Sequence, residues 1–148
     1  MRFMVNLLQK LEAIQHTKGD IIFGELEDIQ TIQFMTGGVD LGYDINRVTK
    51  YATRLEGNMI IGAYEMSFNK RSQLIYRASM TSKVGSSYFM RKKNWISISH
   101  EFPILFRLMK QKAIIFYMNS IRKPINQCKK EDMICYQERA DFNQVVLL

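Results

Sequence analysis

Between Gly37-Gly38 and Asn46 the chain alternates without a break. Val39, Leu41, Tyr43 and Ile45 are apolar, and Asp40, Gly42 and Asp44 are not. Successive side chains of a strand point to opposite faces, so this period of two lines up four apolar side chains on one face and two carboxylates on the other. The stretch predicts a strand with Val39, Leu41, Tyr43 and Ile45 turned inward. Gly37-Gly38 precedes it as a turn free to take positive φ. Asp44-Ile45-Asn46 marks the hairpin tip from which Val48 to Leu55 returns.

Up to Met90 the chain repeats this pattern in shorter units. Leu11 to Thr17, Ile21 to Phe23, Thr31 to Met35, Met59 to Ile61, Gln73 to Met80 and Ser86 to Met90 read as strands. Turns fall at Lys18-Gly19-Asp20 and around Lys83-Val84-Gly85. Many short strands with regular turn signals predict an antiparallel double-sheet jelly-roll barrel, an α+β fold that is mainly β. The helical spacing of Phe3, Met4, Leu7, Leu8 and Leu11 places the end of a helix before it. After it, Asn94 can N-cap a helix from Trp95 to Glu101, and Phe102-Pro103 opens a second helix. That helix carries Ile104, Leu105, Leu108, Ile115, Phe116 and Met118, and Pro124 is expected to stop it. The expected division is a helix end at 1–10, a domain at 11–124 (barrel 11–91, helices 94–124) and a tail at 125–148.

With 148 residues, 47% of them apolar, the chain can bury a core as one domain. Its net charge of +7 is dispersed over short clusters, Arg91-Lys92-Lys93, Arg122-Lys123 and Lys129-Lys130. That favours a solvated face, or one turned to an anionic membrane or partner, over a nucleic-acid site. Cys128 and Cys135 lack metal-ligand spacing and are expected to be reduced, as in the cytosol. The longest apolar run, Ala113 to Met118, is too short to span a bilayer. Met1 to Glu12 does not read as a signal peptide, and a soluble chain, or a piece cut from a membrane protein, is expected. His16 and His100 have no acidic or thiol partner at ligand spacing. Glu25, Glu27 and Asp28 read as a solvated loop cluster. No nucleophile motif, Walker loop or metal signature is present, so no enzyme is expected.

The stretch with functional character is Gly57 to Ala78. It runs from the strand Met59-Ile60-Ile61 through Gly62 and a helical turn, Ala63 to Phe68, to a second strand at Leu74-Ile75-Tyr76. Strand, glycine, short helix and strand make a place where backbone N–H groups converge on an anion. The stretch resembles the phosphate-binding cassette of cyclic-nucleotide-binding domains, roughly F-G-E-(I/L)-A-L-L-x-x-x-P-R-A-A-T-V-x-A. Anchored on Gly62 and on Arg77-Ala78, the two align without a gap. Four further segments resemble the family in the same order. They are Lys18 to Phe23 (the barrel opening), Phe34 to Val39 (a strand pair), Phe89 to Trp95 (the last strand and the start of the next helix) and His100 to Pro103 (the break between the final helices).

The resemblance implies a jelly roll that takes cAMP or cGMP, through Gly62, Ala63, Ser67, Asn69, Arg71 and Ser72, with no metal. Two positions depart from it. The family's ribose-binding Glu falls on Ala63, and its phosphate-pairing Arg falls on Ser72. Arg71 could supply the cation, but one position earlier in a strand the side chain points the other way. The bland alternative is a degenerate cassette kept for folding. Trp95, Phe116 and Tyr117 offer rings to stack on a purine, or simply pack the helices onto the barrel.

Loss of both charged contacts is most similar to the ether-à-go-go type of potassium channel, as is Phe116 to Lys123. That implies a regulatory domain on the cytoplasmic side of a voltage-gated potassium or cation channel, with weak or no nucleotide binding. Its partners would be the rest of the channel polypeptide and neighbouring subunits, with no nucleic acid. The alternatives are a genuine cAMP or cGMP sensor, in a channel or a kinase regulatory subunit, and a free-standing interaction protein of the same fold. In the first case Met133-Ile134-Cys135-Tyr136 is expected to fold back, with Tyr136 replacing the purine. Otherwise 125–148 is a loose tail or pairs with a neighbouring subunit.

Overall fold

A computed structural model describes residues 2–80 and 86–133. Helix α1 (Arg2–Gln9) leads into eight strands: β1 (Glu12–Ile14), β2 (Ile21–Phe23), β3 (Thr31–Met35), β4 (Val39–Ile45), β5 (Val48–Leu55), β6 (Met59–Ile61), β7 (Ile75–Ala78) and β8 (Ser87–Arg91). The five-residue helix α2 (Ala63–Ser67) lies between β6 and β7. Helices α3 (Lys92–Glu101) and α4 (Pro103–Phe116) follow, then a π-helical stretch, Tyr117–Arg122, and helical residues 123–133. The strands form two four-stranded antiparallel sheets, ordered β1-β8-β3-β6 and β2-β7-β4-β5. This is the double-sheet jelly roll with flanking helices.

The alternation in β4 is what the two sheets close around. Val39, Leu41 and Tyr43 are buried in the barrel, and Ile45 packs against the same cluster. Asn46 and Arg47 make the hairpin turn with φ of 50° and 65°, the positive pair that a two-residue type I′ connection requires. Gly37 and Gly38 do not use the freedom expected of them, and the positive-φ glycines are Gly19, Gly57 and Gly62. At Gly42 the need is space. A Cβ there would lie 2.8 Å from the Tyr51 ring and 2.9 Å from the Lys50 carbonyl, where the β4–β5 pairing slips by a residue.

The polar face of β4 is buried too, because Asp40 sits in register between Arg54 on β5 and Arg77 on β7. Arg54 Nε donates to one carboxylate oxygen at 3.0 Å and Arg77 Nη2 to the other at 2.9 Å. The Arg77 guanidinium also lies 3.4 Å over the Tyr51 ring. Burial alone would raise the Asp40 pKa, but the hydrogen bonds from Arg77 and Arg54 outweigh it and hold the group below its ordinary 3.8. The triad's stability is therefore fully present above that value and lost as pH falls through the folded one. Asp40→Asn is expected to flatten the acid limb of a stability-against-pH curve. An unchanged limb in a series of urea melts would disprove the assignment.

Two corrections concern the helices. Asn94 is not an N-cap. β8 runs directly into α3, whose cap position is Arg91 without a side-chain bond, and the Lys92 N–H is taken by the Gln30 carbonyl at 2.9 Å. Pro124 does not stop the last helix, which continues from 123 to 133. A proline lacks its N–H and clashes with the carbonyl four residues back, here Ser120. The wider π-helical turn Tyr117–Arg122 lies immediately before Pro124, where it accommodates both faults. The first nine residues of the expected tail, 125–133, are therefore helix. Ile125 is buried, Cys128 Sγ lies 3.8 Å from the Ala52 carbonyl, and Asp132 accepts from Tyr43 Oη and Lys50 Nζ.

A second, smaller core lies under the helices, where Leu7, Ile32, Met90, Trp95 and Ile98 are buried. Phe3 meets Phe102 edge-on at 5.3 Å, and Trp95 meets Phe106 at 5.4 Å. Among the described residues no helix is long and apolar enough to cross a membrane, and no cluster of His, Cys, Asp and Glu could hold a metal.

Candidate functional site

Strand β6 turns Met59 and Ile61 into the barrel and Ile60 outward. The chain must then reverse, and Gly62 does so at φ 88°. A Cβ at Gly62 would meet the Thr31 carbonyl at 3.0 Å, the Phe23 ring at 3.1 Å and Ile29 at 3.2 Å. Conformation and space both demand glycine. Gly62 starts α2, whose first bond runs from the Met66 N–H to the Gly62 carbonyl at 3.0 Å.

The loop after α2 is tied to the acidic loop before β3. The Leu26 N–H donates to the Ser72 carbonyl at 2.7 Å, and the Ser72 N–H donates to the Glu27 carbonyl at 3.0 Å. The fully buried Ser72 hydroxyl donates to the Leu74 carbonyl at 2.6 Å. Every donor of Ser72 is thus engaged within the chain, with none left for a phosphate. Arg71 points to the surface, where Nε stands 3.9 Å from Asp28, both side chains about two-thirds exposed. Asn69 takes φ 50° to end the turn. The Ser67 hydroxyl is buried without a hydrogen-bond partner among the described residues. Ala63 is buried and contributes no charge. The structure gathers Gly62, Ala63, Ser67, Asn69, Arg71 and Ser72 into one short segment, but turns none of their charges inward.

The buried charge belongs to Glu65, which sequence reasoning missed. Glu65 is 2% exposed and accepts from Tyr76 Oη at 2.7 Å. Tyr76 is itself held edge-on by Phe23 at 5.4 Å. Burial raises the Glu65 pKa and, with the Glu65 charge, raises that of Tyr76 well above 10.0. A carboxyl raised in the fold favours folding fully below its unfolded pKa and progressively less as pH rises through the folded value. Glu65→Gln is therefore expected to gain stability relative to the parent at pH 8 compared with pH 5. Parallel shifts at both values would show that Glu65 keeps its ordinary pKa.

Opposite α2 stands Tyr117, the first residue of the π-helical stretch. Its ring stacks on Tyr64 with centroids 3.9 Å apart and planes 14° from parallel, and both rings are buried. Burial, with the Glu65 and Tyr64 charges, pushes the Tyr117 hydroxyl up to about 12. Ile121 and Ile125 follow it into the barrel cluster. The space left between Gly62, Glu65, Tyr76, Tyr117 and Ile121 is a cavity of about 10 Å3, room for about one water. A cyclic nucleotide does not fit: its volume is taken by side chains, and the acid and the arginine that would hold it are Ala63 and Ser72. Tyr117 and Trp95 are core, Phe116 is partly buried against it, and Tyr136 lies outside the described residues.

No family model and no curated protein matches the chain. Solved structures do. A cyclic nucleotide-binding domain from Methylobacillus flagellatus matches with TM-score 0.69 at 13% identity, over 88% of this chain and 72% of that one. The Thermus thermophilus catabolite activator protein matches with TM-score 0.61 at 12% identity, over 93% of this chain and 61% of that one. The regulatory subunit of a cAMP-independent protein kinase A from Trypanosoma brucei matches with TM-score 0.58 at 14% identity, over 74% of this chain and 40% of that one. The chain spans less than two thirds of the latter two. The fold is that of the cyclic nucleotide-binding jelly roll.

Proposed function

We propose that the chain is a non-catalytic regulatory module in which the last helix stands where a cyclic nucleotide would, so that movement of that helix carries the signal. The Tyr64–Tyr117 stack is the observation behind this reading. It joins α2 to the helix that would connect the module to anything following it, so displacing one displaces the other. The parent we propose is a voltage-gated potassium or cation channel, with the module on the cytoplasmic side of the membrane. Support comes from the resemblance of Phe116 to Lys123 to the ether-à-go-go type and from the neutral residues Ala63 and Ser72. A second reading, the regulatory domain of a kinase, is favoured by the structural likeness to the Trypanosoma brucei subunit described as cAMP-independent.

The complete transcript separates the two. The channel reading requires six hydrophobic spans upstream, currents that do not respond to added cAMP, and a shifted activation voltage in Tyr117→Ala. Absence of the spans, or cAMP-sensitive currents in the parent, would overturn it.

A further inference from the structure

Outside the barrel, where β6 forms the free edge of its sheet, lies a much larger cavity of about 310 Å3. It is bounded by β6, α3 and α4 and has the size of a small-molecule site. Ile60, Trp95, Met109 and Phe116 make its walls, and the polar side chains on it are Asn58 and Lys112. Lys112 is exposed and has no ion-pair partner among the described residues. No acid occurs on the helix between Pro103 and Lys130, whereas Arg107, Lys110, Lys112, Arg122 and Lys123 all do, so the mouth lies in a positive field. Trp95 is 3% exposed, and its Nε1–H has no hydrogen-bond partner among the described residues. A buried donor left unpaired is costly.

We propose that this cavity binds an amphipathic carboxylate, with its apolar tail against Ile60, Trp95, Met109 and Phe116 and its anionic head on the Lys112 ammonium. The volume corresponds to about ten water-sized groups, the span of a medium-length alkyl or aryl chain. The lone cation at an apolar mouth selects an anion over a neutral lipid, and the cavity is too narrow in polar groups for a sugar or a nucleotide. The site also touches the regulatory elements. Its wall includes Ala63, the first residue of α2, and Phe116, the neighbour of Tyr117. A ligand lodged there bears on both halves of the Tyr64–Tyr117 stack. Binding itself does not depend on the regulatory reading above.

Trp95 is the only tryptophan of the chain, so its fluorescence reports on this cavity directly. The full chain is titrated with decanoate below its micelle concentration and, in parallel, with decanol. A saturable change is expected with decanoate. Lys112→Glu, a change at an exposed position, is expected to weaken decanoate by about tenfold or more while altering decanol by less than about twofold. Circular dichroism confirms that the variant is folded. No saturable change with decanoate overturns the proposal. So does equal decanoate affinity in the parent and Lys112→Glu, which would leave a merely apolar cleft. A Trp95 response to an acidic amphipathic peptide without one to decanoate would assign the surface to a protein partner, and the proposal would fall.

Discussion

Tyr117→Ala is expected to lower stability by about 3–5 kcal/mol, the usual result of removing a buried aromatic ring, and the Tm by roughly 10–15 °C for a chain of this size. The ring is lost on two sides at once. Tyr64 loses its stacking partner at 3.9 Å, and the barrel cluster loses the side chain ahead of Ile121 and Ile125. The small residual cavity cannot collapse around Gly62, whose neighbours already stand at contact distance. Tyr117→Phe keeps the stack and is expected to stay within about 1.5 kcal/mol of the parent. Differential scanning calorimetry decides. If Tyr117→Ala melts within a few degrees of the parent, the last helix is no part of the core, and the self-filled pocket is wrong.

cAMP and cGMP are expected to bind at least about 100-fold more weakly than to a cassette that keeps both charges. Each charged contact contributes about 1.5–3 kcal/mol, so losing two removes about 3–6 kcal/mol, a factor of about 10^2–10^4 in Kd. A nucleotide must also displace Tyr117, Ile121 and Ile125 before it enters. Isothermal titration to millimolar ligand should give no saturable heat. A low-micromolar Kd would show that another cation, Arg71 foremost, swings in, and Arg71→Ala would then have to abolish it.

Period-two alternation carries a strand from sequence alone when one face is buried, and β2 to β6 show it. Their bounds, from Ile21–Phe23 to Met59–Ile61, coincide with those read from the sequence. The neutral residues at the two cassette positions were equally legible, because a missing charge is visible without coordinates. Glu65 was not. Nothing in the spacing of Ala63 to Ser67 marks an inward-facing acid, and its partner Tyr76 is eleven residues away on another strand. The far end of the helix was hidden for a different reason. A proline reads locally as a stop, whereas Ile125 and Asp132 are held by contacts with Tyr43, Lys50 and the barrel cluster that only the assembled sheet supplies.

The π-helical stretch Tyr117–Arg122 holds one residue more than an α-helix would place between the same anchors. Deleting a single residue there would let the segment relax into ordinary α geometry. Each residue of an α-helix turns by about 100°, so Ile125, Cys128 and Asp132 would rotate off the sheet together while every one of them remained in the sequence. The interval from Tyr117 to Asp132 is thus a length counted in residues. It tolerates exchange of one side chain for another far better than insertion or deletion of any.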